Sequence, residues 1–313
     1  MKIDLSVLGS TELISLMLMS LYRGAGYRRY RMDRFEEYDL YVKNKDFLVS
    51  DSVLTFTDTN GRLMALKPDV TLSLIKSIRP KRGELSRLYY SESVYRPSRG
   101  DNGFREISQT GVECMGDIDF GTEKEILSLA LDSLSLCGER HILEVSHAAL
   151  LSCFVDALGI SDSARHRLMG QIWTKNLHDA SALMASSGAG CAASERLLRL
   201  LDLCGGPSEV LPRAGELAAT ADEKKHLAEL EQVCCGMDSL QIDLSAVSDS
   251  SYYNGIVFRG YVDGIPRRVL SGGRYDVLLQ RLGYDASAVG FAVYMDELER
   301  IDIPVAALGS AEV

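Results

Sequence analysis

The feature that most restricts how this chain can fold is an interruption. From about residue 147 to 237 strand-like alternation disappears. Ala- and Leu-rich helical stretches take over, separated by Gly188-Ala189-Gly190 and Gly205-Gly206-Pro207. Strand patterns stand on both sides of this gap. Before it they occupy residues 27–32, 38–42, 53–57, 62–66, 87–95, 104–114 and 141–145. After it they occupy 241–247, 252–262, 267–270 and 288–294. A strand needs a hydrogen-bonding neighbour, so the two groups are expected to meet in one mixed, largely antiparallel sheet flanked by helices. The expected organisation is an α+β core of residues 1–146 and 238–313, with residues 147–237 inserted as an all-helical domain.

Local signals fill in this frame. Asn60-Gly61 reads as a hairpin turn between 53–57 and 62–66, because both residues tolerate positive φ; Asp263-Gly264 reads as a second. Leu13, Leu16, Met17 and Leu21 recur at helical spacing after Ser10 and Glu12, until Gly24 and Gly26 stop the pattern. Pro68 opens a helix running to Ile78. Thr122 and Glu125 have the spacing of a capping box for a leucine-rich helix that ends at Cys137. A short helix at 277–282 and a last one from Asp296 complete the chain.

Composition narrows the function. Hydrophobic residues at 46% and charged residues at 25% give an ordinary globular core. A net charge of −10 leans against a protein that grips a phosphate backbone, a task for clustered Lys and Arg. The seven cysteines form no C-x-x-C pair, and the five histidines form no H-x-x-x-H, so neither a zinc site nor any other metal or cofactor is expected. Reduced thiols suit a cytoplasmic protein. The N-terminus lacks a signal-peptide pattern, and the apolar run 13–21 is too short to span a bilayer.

Polar residues then converge where a core should be. Alternate side chains of a strand share a face, so 104–114 sets Arg105, Ile107, Gln109, Gly111 and Glu113 on one side. Either that face is solvated, or its guanidinium, amide and carboxylate meet partners or a ligand. Asp69 and Thr71 stand at a helix start, suited to an ammonium group or to capping the helix. Arg96 ends its strand at a proline, ready for an anion or a structural carboxylate. Tyr252-Tyr253-Asn254-Gly255 lines a ring-sized slot or simply packs. The Gly272-Gly273 pair permits close backbone approach or marks a plain turn.

The order of these pieces resembles the catalytic core of class II aminoacyl-tRNA synthetases, specifically the histidyl-tRNA synthetase family, over most of residues 5–300. Gly26-Tyr27-Arg28-Arg29-Tyr30 through Phe35-Glu36 is similar to the first class motif, with Met32 in place of the usual proline; in that class it builds a homodimer interface. Residues 88–96 and 104–116 resemble the second motif. Residues 252–258 and 271–278 resemble the two histidine-recognition segments, and Gly290-Phe291-Ala292 the start of the third motif. The resemblance implies that Asp69, Thr71 and Gln109 hold an amino-acid ammonium, and that Glu113, Tyr253 and Tyr275 surround an imidazole, with Tyr252 and Arg96 completing the site. Asp69 replaces a glutamate common in the synthetases.

Departures from the pattern matter as much. Adenylating an amino acid requires cations around the ATP phosphates. Ser248 and Glu297 stand where the family has arginines, and Ser98 where it has an acidic residue; Arg96 alone is retained. The chain's end at Val313 leaves no room for an anticodon-binding domain, so no tRNA is expected. A retained histidine pocket without ATP machinery resembles a non-catalytic branch of the family, the regulatory subunits of ATP phosphoribosyltransferase. That branch implies a short-form catalytic subunit as partner, a homodimer within a larger hetero-oligomer, and feedback by histidine on the first step of histidine biosynthesis. The alternative is a free-standing synthetase paralogue that still activates an amino acid.

Overall fold

A computed structural model describes residues 7–44, 53–98, 103–246 and 252–299. The first stretch of chain supplies α1 (Ser10–Gly24), β1 (Arg28–Arg29), β2 (Phe35–Glu37), α2 (Asp39–Val42), β3 (Thr55–Thr57) and β4 (Leu63–Leu66). Next come α3 (Val70–Ile78), the long strands β5 (Leu85–Pro97) and β6 (Phe104–Gly116), α4 (Phe120–Cys137) and β7 (His141–His147). The interrupting span holds α5 (Ala148–Asp156), α6 (Asp162–Trp173), α7 (Leu177–Ser186), α8 (Cys191–Leu201), the two-residue β8 (Cys204–Gly205), α9 (Pro207–Leu217) and α10 (Ala221–Cys234). The chain closes with β9 (Leu240–Asp243), β10 (Ile256–Val262), β11 (Leu270–Arg274), α11 (Asp276–Arg281), β12 (Ser287–Tyr294) and α12 (Met295–Leu298).

Both ends of the sequence do meet in one sheet, ordered β1-β5-β6-β12-β11-β10-β7-β9-β8. Early and late strands meet at three seams: two are antiparallel, with Glu113 of β6 opposite Gly290 of β12 and Val145 of β7 opposite Phe258 of β10, and the third joins β7 to β9. Only β1 with β5 and β7 with β9 run parallel among the described pairs. A small second sheet, β2-β4-β3, stands apart. No helix among the described residues is long and apolar enough to cross a membrane.

Several local expectations are corrected. Residues 38–42 form the start and body of helix α2, because the carbonyls of Tyr38, Asp39 and Tyr41 close helical turns that the tyrosine-rich composition disguised. The Asn60-Gly61 turn is a longer loop in which only Gly61 has positive φ; Asp58 accepts from the backbone of Asn60 and Arg62. The cap of α4 is Asp119, whose carboxylate accepts from the N–H of Thr122, while Glu125 binds Arg87 and Tyr27 instead. Helix α1 buries Ile14, Leu18 and Tyr22, a stripe offset from the expected one, and leaves Leu16 exposed. With apolar residues all round this helix, spacing alone did not choose the face.

The sheet separates two apolar clusters. On one side α1 and α4 cover Tyr89, Val112, Cys114, Phe258 and Phe291, and the helices of residues 148–234 extend the same cluster. On the other, α3 and α11 cover Leu88, Tyr90, Ile107, Met115 and Ala288. Each fully buried aliphatic or aromatic side chain in these clusters contributes about 1.5–3 kcal/mol. The second side is incompletely filled, and glycine is the reason. Gly273 of β11 pairs with Gly290 of β12. A methyl on Gly273 would lie 2.7 Å from the Tyr253 ring, and one on Gly290 would lie 1.9 Å from a Glu113 carboxylate oxygen. So Gly272-Gly273 is neither a turn nor a hinge: it lies within a central strand, and close approach is what it provides.

Gly290→Ala therefore forces the Glu113 carboxylate away from its place. Overpacking of this kind costs about 1–3 kcal/mol, which urea denaturation of the variant will register as a lower midpoint with an unchanged slope.

Candidate functional site

Over that bare patch of sheet lies a cavity of about 180 Å³. All eight residues singled out in the sequence line it: Asp69, Thr71, Arg96, Gln109, Glu113, Tyr252, Tyr253 and Tyr275. They arrive from five elements, so their convergence is a property of the fold and not of local sequence.

Glu113 is the centre. It projects from β6 at 3% exposure, so the solvated alternative for this strand face fails at this position and at Gln109, 4% exposed. Among the charged positions of that face, Arg105 alone is exposed, where it pairs with Asp296 at 3.6 Å. Tyr275 donates its phenol to Glu113 Oε2 at 2.5 Å, and Thr71 donates its hydroxyl to Oε1 at 3.2 Å. Burial pushes the Glu113 carboxyl up to about 8; the two hydroxyl donors pull the other way, while the charge of Asp69 adds to the rise. Burial also keeps the Tyr275 and Tyr252 phenols protonated, so both remain available as donors.

At the start of α3, both readings of Asp69 are compatible. Its Oδ1 caps the helix by accepting from Leu72 N–H at 3.0 Å, while Oδ2 stands 3.9 Å from Arg96. Arg96 in turn donates from Nε to the Pro68 carbonyl at 2.9 Å, so this cation is occupied within the loop it supports. The aromatic wall is built from Tyr252 against Tyr253, centroids 4.7 Å apart and steeply tilted, and Tyr252 against Tyr275 at 5.7 Å. Residues 252–255 are a turn and not the beginning of the strand, which starts at Ile256. Asp276 fixes this turn: its Oδ2 accepts from the Asn254 amide and from Arg274, its Oδ1 accepts from Ala288 N–H, and its own N–H donates to Asn254 Oδ1.

Of the positions where the family pattern is broken, Glu297 lies on α12 bound to Arg267 at 3.3 Å, outside the cavity lining. Ser98 closes the end of β5 by donating its N–H to the Gly103 carbonyl. Ser248 lies outside the described residues. Two further arginines line the cavity that sequence reasoning missed, Arg259 and Arg268. The signal for the first was available: one charge inside the apolar run Ile256-Val257-Phe258-Arg259 is costly without a reason. The described lining contains no histidine, lysine or cysteine. It offers carboxylates, phenols, hydroxyls, an amide and guanidinium groups.

One set of metal-type ligands lies elsewhere, His147, His226 and Glu229. Its hydrogen bonding explains it without an ion. His147 Nδ1 accepts from Leu150 N–H to cap α5, so the ring's proton sits on Nε2 and faces Glu229 Oε2 at 3.5 Å. Glu229 also binds His226 Nδ1 at 2.7 Å. Burial lowers the His147 pKa to about 3, keeping that ring neutral.

The family model described as histidyl-tRNA synthetase matches residues 9–298. The ATP phosphoribosyltransferase regulatory subunit of Clostridium kluyveri is 29% identical over 292 residues, covering 90% of this chain and 75% of that protein. The crystal structure of an ATP phosphoribosyltransferase regulatory subunit/histidyl-tRNA synthetase from Bacillus halodurans C superposes with a TM-score of 0.81 at 25% identity, covering 96% of this chain and 79% of that one. A chain of the ATP phosphoribosyl transferase complex from Thermotoga maritima superposes with a TM-score of 0.69 over 90% of this chain and 96% of its own; at 18% identity this likeness speaks for the fold alone. The chain belongs to the histidyl-tRNA synthetase family.

Proposed function

We propose that this chain is a regulatory subunit of ATP phosphoribosyltransferase that binds histidine in the cavity around Glu113 and does no chemistry there. The observation that carries this reading is a complete amino-acid cradle beside two positions of the nucleotide machinery: Arg96 is held by Pro68 and Asp69, and Glu297 stands outside the lining, bound to Arg267 where the family has an arginine. The imidazole lies among Glu113, Tyr253 and Tyr275, with Tyr252 completing the wall; the ammonium lies at Asp69, Thr71 and Gln109. The names of the relatives point the same way: this chain covers 75% and 71% of two proteins named ATP phosphoribosyltransferase regulatory subunit. The partner is a short-form catalytic subunit that condenses ATP with phosphoribosyl pyrophosphate. The thiols, free in the described structure, suit a cytoplasmic setting.

Control by histidine then requires only that the ligand bind two quaternary states unequally, since an effector shifts an equilibrium by no more than its differential affinity.

Glu113→Gln is expected to weaken histidine binding in calorimetry by about 1.5–3 kcal/mol, the value of a charge-assisted hydrogen bond. The pH sign follows from the raised carboxyl. With a pKa of about 8 in the free protein, Glu113 is largely protonated at pH 7. A ring N–H favours the ionised form, so binding at pH 7 releases a proton. Affinity rises as pH increases from 7 through about 8, and Glu113→Gln removes that rise. A slope of the opposite sign rules out the carboxylate as the ring's acceptor.

Purified together with a short-form catalytic subunit, the chain is expected to co-elute in size-exclusion chromatography and to raise its turnover, with histidine reversing the effect. Histidine-dependent pyrophosphate exchange with ATP by this chain alone overturns the regulatory reading in favour of a synthetase paralogue.

A further inference from the structure

Three arginines line the cavity, and they are not equivalent. Arg96 is held by Pro68 and Asp69. Arg259 bonds Tyr261 and stands opposite Glu144 of β7 without a close ion pair, Arg268 likewise forms none among the described residues, and both reach the same lining as Glu113 and Asp69. Arg259 is the unusual one. It projects from β10, a strand otherwise apolar around it, at 7% exposure, and its Nη2 has no hydrogen-bond partner among the described residues. A buried guanidinium with an open nitrogen is costly to keep unless something arrives to fill it.

Its setting says what that something is. The guanidinium carbon of Arg259 stands 3.9 Å from the centre of the Trp173 ring, and that of Arg268 stands 5.8 Å from the same ring. Stacking on an aromatic face fixes the plane of a guanidinium and leaves its N–H edge as the recognition surface. That edge matches the two oxygens of a carboxylate. The distance also suits an amino acid. β6, which carries Glu113, and β10, which carries Arg259, are three strands apart in the sheet order, about 14 Å at the usual spacing. Two side chains reaching inward, with a small ligand between them, bridge such a gap.

We propose that Arg259, stacked on Trp173 and assisted by Arg268, forms a carboxylate subsite of the cavity. The pocket thus selects a zwitterion, with carboxylate at Arg259 and ring at Glu113. This assignment rests on the amino-acid reading of the cavity given above and adds to it the residue that demands the carboxylate. It also explains the tryptophan: Trp173, the chain's only one, comes from α6 and supplies the surface against which the arginine is held.

That single tryptophan provides the test. The wild type is titrated with histidine and with histamine, which keeps ring and amine but lacks the carboxylate, using calorimetry for affinity and Trp173 emission for arrival at Arg259. Histidine is expected to bind at least about tenfold tighter than histamine, the yield of one charge-assisted contact, and only histidine changes the emission. Arg259→Gln loses the preference; Arg259→Lys, which keeps the charge and loses the fork, retains part of it and serves if the glutamine variant does not fold. Equal binding of the two ligands by the wild type, or a preference that survives in Arg259→Gln, overturns the subsite while leaving the histidine pocket standing. Should histidine not bind at all, the pocket reading fails, and acetate and inorganic phosphate decide the subsite. An emission change with acetate that Arg259→Gln abolishes supports it, and silence with acetate, or a response to phosphate alone, overturns it.

Discussion

A carboxylate buried in a β-sheet must be held from more than one side, and the way Glu113 is held organises the molecule. Its two hydroxyl donors come from opposite ends of the chain: Thr71 is 42 residues before it and Tyr275 is 162 residues after it. Between them lies the seam where β6 pairs with β12, with Gly290 directly opposite Glu113. The missing side chain at Gly290 is what admits the carboxylate at all. One polar group thus couples helix α3, the β6–β12 seam and the approach to α11. A shift in any of them changes the field that sets its protonation.

Much of this was legible in the sequence, for identifiable reasons. The interruption at 147–237 separated two strand-rich stretches, and strands without local partners had to pair across it. The twin strands β5 and β6 and the strand β12 were readable because long runs of alternation and β-branched residues flanked by Gly and Pro leave few alternatives. Residues 38–42 were not readable, since two tyrosines and a valine favour a strand by composition while a single helical turn depends on what it packs against. Residues 252–255 failed for the converse reason: the tyrosines looked extended, and the turn is imposed by Asp276, twenty-two residues away from Asn254.

The site was legible to a different degree. All eight proposed ligand residues meet in one cavity, because the motif order specifies a sheet and a sheet face fixes neighbours by register. Arg259 was written plainly, as a charge among apolar residues, yet its partner could not be read. Trp173 ends a helix whose pattern tells only which face is apolar, not what that face docks against. Arg268 lies in the loop between β10 and β11, where no period assigns a direction. The helical span reaches the cavity's arginines without lining the cavity itself: Trp173 lies beneath Arg259 and Arg268, and Lys175 just beyond it donates to Asp243 at 2.5 Å.

That contact gives a physical route for a ligand's binding energy. An enzyme spends interactions on the transition state, so a pocket tuned for turnover holds its substrate less tightly than it could. Under the proposed regulatory role no turnover competes for that energy, so every contact a ligand makes is available as ground-state binding. A ligand that completes Arg259 changes the charge balance of a guanidinium stacked on the end of α6, while the same ligand engages Glu113 at the seam between the chain's two halves. It therefore bears on both the helical span and the sheet seam, and any difference in how these pack in two assemblies becomes a difference in ligand affinity.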